Sequence, residues 1–317
     1  MSPRADGPAS PPFSAVSPFL LSPLAAANHS LEVPISLSSD LITAAVRAAL
    51  AEDVGSGDVT TLATVPADAT CQAVMRAREP LSVAGLDFAE AAFRELSPTL
   101  IIERVKPDGV RADTGDTLLT VDGSARAILS AERVALNFVQ RLSGVATAAA
   151  AYVAAVQGTR AKILDTRKTT PGWRAFEKYA VACGGAHNHR IGLFDMVLIK
   201  DNHLAALRDA RPNPVAAAVQ RAREQFPQLK VEVEADTLEQ VALAAAAGAD
   251  IILLDNMSPA QLHAAVQCVA GRAQTEASGG VNLQTVRTIA ESGVDFISVG
   301  AITHSARAVD IGLDFAP

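Results

Sequence analysis

Short apolar runs alternate with amphipathic stretches through the second half of the chain. Six runs recur at intervals typical of strand–helix units, namely Ile163-Leu164, Met196–Ile199, Val231–Val233, Ile251–Leu254, Gln274–Ala277 and Phe296–Val299. Helical patterns lie between several of them, over Pro214–Gln225, Leu238–Ala247, Pro259–Val269 and Leu283–Ser292. Buried strands that alternate with helices predict a parallel sheet. Because the connections are short and similar in length, we expect an incomplete α/β barrel of six to seven strands.

The region before these units has a different pattern. Ser38 or Ser39 can cap a helix that starts at Asp40 and that Gly55 can end. Its predicted apolar stripe consists of Leu41, Ala45, Ala48 and Ala49. Residues 70–122 then alternate β-prone runs with turns, which predicts a small α+β sandwich domain with an antiparallel sheet. The runs and turns are Gln72–Met75, Lys106–Gly109, Thr114–Asp116 and Leu118–Val121.

A new helix is predicted to open at Ser130, followed by a second, Ala-rich helical stretch to about Val156. The chain therefore divides into a disordered Pro- and Ser-rich leader over residues 1–36, an N-terminal domain over 37–143 and a barrel domain over 144–317. The C-terminal tail is a candidate to return to the N-terminal domain.

Composition narrows the possible function classes. The formal net charge is −7, which argues against a nucleic-acid-binding protein because such proteins present a basic face. No apolar run reaches the roughly 18 residues of a membrane span. Three widely separated cysteines indicate a reducing compartment, so we expect a cytoplasmic protein. The weak signal-peptide pattern in the leader is interrupted by Pro18 and Pro23.

Polar and glycine residues follow every predicted barrel strand. In a barrel these strand ends meet at one mouth, where catalytic groups are found. The segments are Asp165–Thr170, Lys200–His203, Glu234–Asp236, Asp255-Asn256, Ser278–Gly280 and Gly300-Ala301. Arg and Lys here can hold carboxylates or phosphates, and carboxylates can bind ribose hydroxyls or phosphate-bound Mg²⁺. For Glu234 the alternative is a structural ion pair with a barrel lysine.

The segment Gly184–Arg190 contains an H-x-H motif. No third ligand stands at supporting spacing, so we interpret His189 and Arg190 as a donor pair for an anion rather than a zinc site. Cys183 has no adjacent base and is interpreted as a packing residue, not a nucleophile.

Taken together, the motifs resemble the quinolinate phosphoribosyltransferase family, also called nicotinate-nucleotide pyrophosphorylase (carboxylating). The resemblance covers nearly everything after residue 40. The matching stretches are Glu52–Thr61, Glu132–Asn137, Arg141–Thr147, Asp165–Gly172, Gly184–Arg190, Leu198–His203, Val231–Glu234, Leu254–Asn256, Glu276–Gly280 and Ser298–His304.

The resemblance implies a decarboxylating, Mg²⁺-dependent transfer in NAD biosynthesis. Quinolinate and phosphoribosyl pyrophosphate would give nicotinate mononucleotide, pyrophosphate and CO₂. It implies that the two quinolinate carboxylates are held by Arg167, His189, Arg190 and Lys200. Lys168 would lie between the pyridine and the phosphoribosyl donor.

For the donor, the resemblance implies that Glu234 and Asp255 face the ribose hydroxyls and the metal, directly or through water. Lys168, Glu234 and Asp255 would be the catalytic residues. The 5′-phosphate would be bound by Ser278, Gly279 and Gly300. In the family Arg133 reaches the neighbouring subunit's site, which implies a homodimer with shared active sites.

Two other functions share this fold. A relative associated with molybdenum transport resembles the family, but the cations expected for both carboxylates are all present here and favour quinolinate. The other alternative is a non-catalytic scaffold or metabolite sensor. None of the residues carried over from the family is missing, which favours an enzyme.

Overall fold

The computed structural model describes residues 37–315. The predictions for residues 1–36, the leader and its signal-peptide pattern, lie outside the described residues. The helices are α1 (Ser39–Val54), α2 (Val59–Thr64), α3 (Leu86–Leu96), α4 (Ala125–Ala155), α5 (Arg174–Cys183), α6 (Asp201–Ala206), α7 (Pro214–Gln225), α8 (Leu238–Ala246), α9 (Pro259–Val269), α10 (Val286–Glu291) and α11 (Ala301–His304).

The strands belong to three sheets. Those before the barrel are β1 (Thr70–Ala77), β2 (Leu81–Ser82), β3 (Ile101–Arg104), β4 (Arg111–Ala112) and β5 (Thr117–Ser124). Those of the parallel sheet are β6 (Lys162–Leu164), β7 (Val197–Ile199), β8 (Val231–Ala235), β9 (Ile251–Asp255), β10 (Gln274–Ser278) and β11 (Phe296–Ser298), and the last strand is β12 (Ile311–Phe315).

The N-terminal sheet is antiparallel, in the order β12-β1-β5-β3. Strand β12 pairs with β1 from Ala73↔Phe315 to Ala77↔Ile311, so the C-terminal strand completes this sheet. Helix α4 packs against this sheet, and α1 and α3 pack against α4 and against each other. As predicted, Ser38 caps α1 and Gly55 ends it.

Of two local predictions in this region, one was partly confirmed and one was wrong. The fully buried residues of α1 are Ile42, Val46 and Leu50, because the larger side chains remove more apolar area from water. Of the predicted stripe, Leu41, Ala45 and Ala49 are partly buried against the core and Ala48 is exposed. The two predicted helices after Ser130 are one helix, α4, which Ser124 caps. Ser130 instead donates a hydrogen bond to Asp58 (2.9 Å) and caps nothing.

Gly144 in the middle of α4 allows a close backbone approach and does not break the helix. A Cβ at this position would lie 1.9 Å from the carbonyl oxygen of Arg307. The chain that leads into β12 therefore passes directly over α4 at this glycine.

The second half forms a six-stranded parallel sheet in the order β6-β11-β10-β9-β8-β7. The edge strands β6 and β7 follow one another in sequence but do not pair, which is the incomplete α/β barrel expected from the sequence. The predicted helices Pro214–Gln225 and Pro259–Val269 are confirmed residue for residue, whereas the predicted Leu283–Ser292 helix is only α10.

The connection between β6 and β7 is longer and less regular than predicted. After α5, residues 184–196 contain neither helix nor strand, apart from a parallel bridge between His187 and Leu164. His187 N donates to Ile163 O (2.8 Å) and Asp165 N donates to His187 O (3.1 Å). The segment therefore lies along the free edge of β6 and brings His189 and Arg190 to the barrel mouth.

Within residues 37–315, no helix is both long enough and apolar enough to cross a lipid bilayer. All three cysteines are free thiols.

Candidate active site

Four of the predicted site residues lie at the carboxyl ends of consecutive strands. Asp255 pairs with Ser278 at the ends of β9 and β10. On β8, Glu234 is paired with Leu253, and its carboxylate forms an ion pair with Lys200, which follows β7. The ion pair with a barrel lysine that was the alternative for Glu234 is thus present in the structure. This ion pair holds Lys200 at the mouth.

Lys168 and Gly300 meet at the other side of this mouth. A Cβ on Gly300 would lie 3.1 Å from Lys168 Cδ and 3.1 Å from the ring of His304. The aliphatic stem of Lys168 therefore packs over Gly300, which immediately precedes α11. The structure thus brings together the ends of β6 and β11, which are neighbours in the sheet.

Two guanidinium groups have buried donors that the protein does not satisfy. Within the described chain, Arg167 Nε and Arg190 Nε are buried and have no hydrogen-bond acceptor. Burial and the nearby charge of Arg167 lower the pKa of Arg190. Two mutually repelling cations with unused donors are costly without an anion, because buried polar groups are normally paired. Their arrangement is suited to an anionic ligand with more than one carboxylate or phosphate.

A buried ion pair fixes the segment that carries His189. Lys178 Nζ lies 2.5 Å from Asp165 Oδ1, and both side chains are fully buried. The same Asp165 carboxylate accepts hydrogen bonds from His189 N (2.8 Å) and Asn188 Nδ2 (2.8 Å). Lys178 also donates to His189 O (2.9 Å). Since these bonds compensate the buried charges, the backbone of the segment is held in one position.

The His189 ring faces the barrel interior. Its Nε2 lies 3.2 Å from Glu232 Oε2 and 3.5 Å from Glu276 Oε2, within ion-pair distance but without the alignment of a hydrogen bond. Burial disfavours the imidazolium, but Glu276 and Glu232 outweigh it and raise the pKa of His189 to about 9. In contrast, Arg190 N donates to Nδ1 (2.8 Å), which favours the neutral ring. In both states Nε2 carries the ring hydrogen on the side of the two carboxylates.

Glu232 and Glu276 are almost completely buried, at 0% and 1% exposure. One ligand atom from each, together with one from His189, lies within 4.8 Å of the other two. Burial and the charge of Glu232 raise the pKa of Glu276 to about 8, because two such carboxylates cannot both be ionised cheaply.

The sequence interpretation did not assign a role to either glutamate. Alternation along Val231–Glu234 places Glu232 and Glu234 on one face of the strand, but only Glu234 was selected as functional. Spacing along the chain also suggested no carboxylate partner for His189, because Glu232 and Glu276 come from β8 and β10. The only sequence signal was one acidic residue inside each of two predicted strands.

The predicted phosphate-binding residues lie on the β10 and β11 side of the mouth. Gly279 has φ +96°, and a Cβ there would lie 2.1 Å from Asn256 Oδ1, so only glycine fits. Asn256 N also donates to Ser278 O (2.9 Å). Helix α10 begins only at Val286, so this segment is followed by a turn and not directly by a helix.

Two other predicted residues lie away from these strand ends. Arg133 is exposed on α4, outside the mouth. Cys183 ends α5, and burial together with the charge of Asp108 raises the pKa of its thiol to about 12. A thiol that stays protonated is a poor nucleophile, in agreement with its interpretation as a packing residue.

Most of the described chain matches a known protein family. Residues 145–314 match the family described as "Quinolinate phosphoribosyl transferase, C-terminal domain", and residues 58–143 match the corresponding "N-terminal domain". The chain belongs to the quinolinate phosphoribosyltransferase family. The resemblance stated from the motifs is therefore confirmed, and so is the fold class.

Relatives match over most of their length. The chain is 47% identical over 276 residues to "Nicotinate-nucleotide pyrophosphorylase [carboxylating]" of Mycobacterium leprae, covering 85% of this chain and 95% of that protein. It is 43% identical over 288 residues to the "chloroplastic" protein of that name from Arabidopsis thaliana, covering 86% and 82%. The solved nicotinate-nucleotide pyrophosphorylase of Francisella tularensis superimposes with a TM-score of 0.84 at 39% identity, covering 89% and 98%.

Proposed function

We propose that this quinolinate phosphoribosyltransferase family member converts quinolinate and phosphoribosyl pyrophosphate into nicotinate mononucleotide, pyrophosphate and CO₂, in the biosynthesis of NAD. The observation that carries the proposal is the pair of buried, unsatisfied guanidinium donors of Arg167 and Arg190 at the barrel mouth. A planar dicarboxylate offers the acceptors that these donors lack.

Quinolinate is proposed to bind between Arg167, Arg190 and Lys200. Lys200 is paired with Glu234, so the bound dicarboxylate competes with Glu234 for this ammonium group. His189 is proposed to form the buried floor beside these cations, where its ring is already engaged by two glutamates.

The phosphoribosyl donor is proposed to lie along β8 to β11, with its 5′-phosphate at Ser278, Gly279 and Gly300. Glu234 and Asp255 then face the ribose hydroxyls. Two carboxylates on adjacent strand ends are a donor set that fits Mg²⁺, which prefers oxygen ligands and usually keeps waters and substrate phosphates. Mg²⁺ bound there through the substrate or water would neutralise charge on the pyrophosphate leaving group.

The residues act by positioning and charge rather than as a nucleophile. The pyridine nitrogen attacks the anomeric carbon while the C–O bond to pyrophosphate breaks, through a transition state with oxocarbenium character. The alkylated ring is cationic and stabilises the carbanion that remains when the adjacent carboxylate leaves as CO₂. A proton from Lys168 or water then adds to that carbon, which completes nicotinate mononucleotide.

The site is proposed to be shared in a cytoplasmic homodimer. Arg133 is exposed and outside the mouth of its own subunit, so it is available to enter that of a partner. Leu193 and Phe194, close in sequence to His189, are 74% and 68% exposed, as expected of apolar residues that a second subunit covers. Mixing Arg133→Ala with Lys168→Ala protein should restore activity after subunit exchange, and exchange without activity would refute sharing.

Calorimetric binding of quinolinate and of nicotinate tests the substrate assignment. Quinolinate should bind at least tenfold more tightly than nicotinate, which lacks one carboxylate, and Lys200→Ala should reduce this preference. Lys230→Ala is the matched control because Lys230 precedes β8, at the opposite end of the strand from Glu234. Equal affinity for the two compounds would contradict the proposal and favour another substrate on this fold.

A further inference from the structure

Arg141, which lies on α4 and outside the predicted substrate residues, connects two loops of the mouth. Its Nη2 donates to Glu177 Oε1 (2.8 Å) and to Thr303 O (2.9 Å), and its Nη1 donates to Ala306 O. We call Arg141, Glu177, Thr170 and Thr303 the Arg141 cluster. One guanidinium group thus holds α5 and the segment after β11 together.

Glu177 extends the Arg141 cluster to the loop after β6. Its side chain is fully buried in α5. Its Oε2 accepts from Thr170 N (3.0 Å) and its Oε1 from Thr170 Oγ1 (2.8 Å). Because Thr170 is two residues from Lys168, the carboxylate fixes the end of the loop that carries this lysine.

Thr303 on α11 links the Arg141 cluster to the backbone of Lys168 and of Gly300. It is fully buried on α11, and its Oγ1 lies 2.8 Å from Lys168 O and 3.1 Å from Gly300 O. The backbone of Lys168 and that of Gly300 are therefore held by the same hydroxyl. In the proposed function these two residues belong to the pyridine side and the phosphate side of the site.

We propose that Arg141 is a positioning residue that, through Glu177 and Thr303, holds Lys168 and Gly300 in register, so that the acceptor and donor subsites stay aligned. The inference rests on the proposed function for the identity of the subsites. Arginine is required because its planar fork donates in several directions at once, whereas a lysine has a single ammonium nitrogen that reaches fewer of these acceptors.

Misalignment is expected to affect the chemical step more than binding. A displacement of about 1 Å in a reacting group can cost about 100-fold in rate. Neither Arg141 nor Glu177 is among the groups proposed to contact substrate, so KM should change little. We expect kcat of Arg141→Lys and of Glu177→Gln to fall between about tenfold and 100-fold, with KM for either substrate within about threefold of wild type.

The fluorescence of a tryptophan reports directly on the order of the loop that carries Lys168. Trp173 is the single tryptophan of the chain and lies between Thr170 and Glu177 in the sequence. Its N donates to Thr170 O (3.0 Å), and its O accepts from Glu177 N (2.9 Å). Its ring stacks on Phe138 of α4 at 5.1 Å. Loosening of the Arg141 cluster should therefore increase Trp173 mobility in time-resolved anisotropy and its quenching by acrylamide.

The matched control is Arg223→Ala. Arg223 on α7 also donates to a carbonyl, Gly248 O (2.9 Å), and pairs with a carboxylate, Asp250 (2.8 Å), but it does so at the amino ends of the barrel strands. Its loss should leave kcat, KM and Trp173 mobility unchanged. Arg141→Lys retains a charge beside the buried Glu177, which keeps the variant suitable for comparison if Arg141→Ala does not fold.

The inference is overturned if Arg141→Lys and Glu177→Gln retain kcat within twofold of wild type. It is also overturned if kcat falls while Trp173 mobility stays at the wild-type value, or if KM alone rises. Absence of turnover in the wild-type protein would instead refute the proposed function. The Trp173 measurements, which need no substrate, would then still show whether Arg141 orders the loop.

Discussion

Replacing Glu276 by glutamine should change how the stability of the protein depends on pH. Glu276 faces His189, Glu232 and Ser298 inside the barrel, and within the described chain neither of its carboxylate oxygens has an aligned hydrogen-bond partner. Glutamine preserves the shape of the side chain and can donate an N–H to Glu232. The substitution therefore removes one titrating group without opening a cavity.

The raised pKa of Glu276 determines whether the free energy of unfolding rises or falls with pH. Burial and then the charge of Glu232 raise this pKa from 4.5 to about 8, so the folded protein keeps a proton that the unfolded chain releases. The unfolded state binds fewer protons between these values, and stability falls as the pH rises through this window. At 1.36 kcal/mol per pH unit, this group costs the wild-type protein about 4 kcal/mol between about pH 5 and pH 8.

Urea unfolding monitored by Trp173 fluorescence at intervals from pH 5 to pH 9 measures the effect. The free energy of unfolding should fall with pH in the wild type and considerably less in Glu276→Gln, so the two curves should diverge toward alkaline pH. Glu291→Gln, at an exposed position on α10, should follow the wild-type curve. Parallel curves for wild type and Glu276→Gln would refute the shared-proton interpretation of the buried carboxylates.

Two glycine substitutions test close backbone approaches. Gly144→Ala should gain about 1 kcal/mol of helix propensity. It should nevertheless lower the melting temperature, because its Cβ would collide with Arg307 O. An unchanged or higher melting temperature in a thermal scan would contradict the described packing of α4. Gly279→Ala should raise KM for phosphoribosyl pyrophosphate by about tenfold or more, because its Cβ would collide with the Asn256 side chain. Gly280→Ala is the control, since it shares a positive φ but has open space, and equal effects at both positions would contradict the steric argument.

The fold was largely predictable because its strands are short apolar runs bounded by polar and glycine residues. Such runs report burial on both faces, which is the property that a parallel sheet requires. The helix boundary at Ser130 was wrong because a serine has other uses than capping, in this case a hydrogen bond to Asp58. Gly144 likewise has a tertiary purpose that no local pattern indicates.

The site was predictable to the extent that it depends on strand ends. Lys200, Glu234 and Asp255 each follow or end an apolar run, so their approach to a common edge follows from the topology. The position of the His189 ring could not be predicted, because it depends on the parallel bridge at His187 and on glutamates from distant strands. The Arg141 cluster was missed for the same reason, since its bonds connect residues far apart in sequence.

The most direct test of the proposed reaction is product stoichiometry with purified protein and Mg²⁺. With quinolinate and phosphoribosyl pyrophosphate, we predict release of CO₂ and pyrophosphate in equal amounts, together with one nicotinate mononucleotide for each. Replacing quinolinate by nicotinate should abolish CO₂ release. Turnover without CO₂, or no turnover under these conditions, would contradict the account.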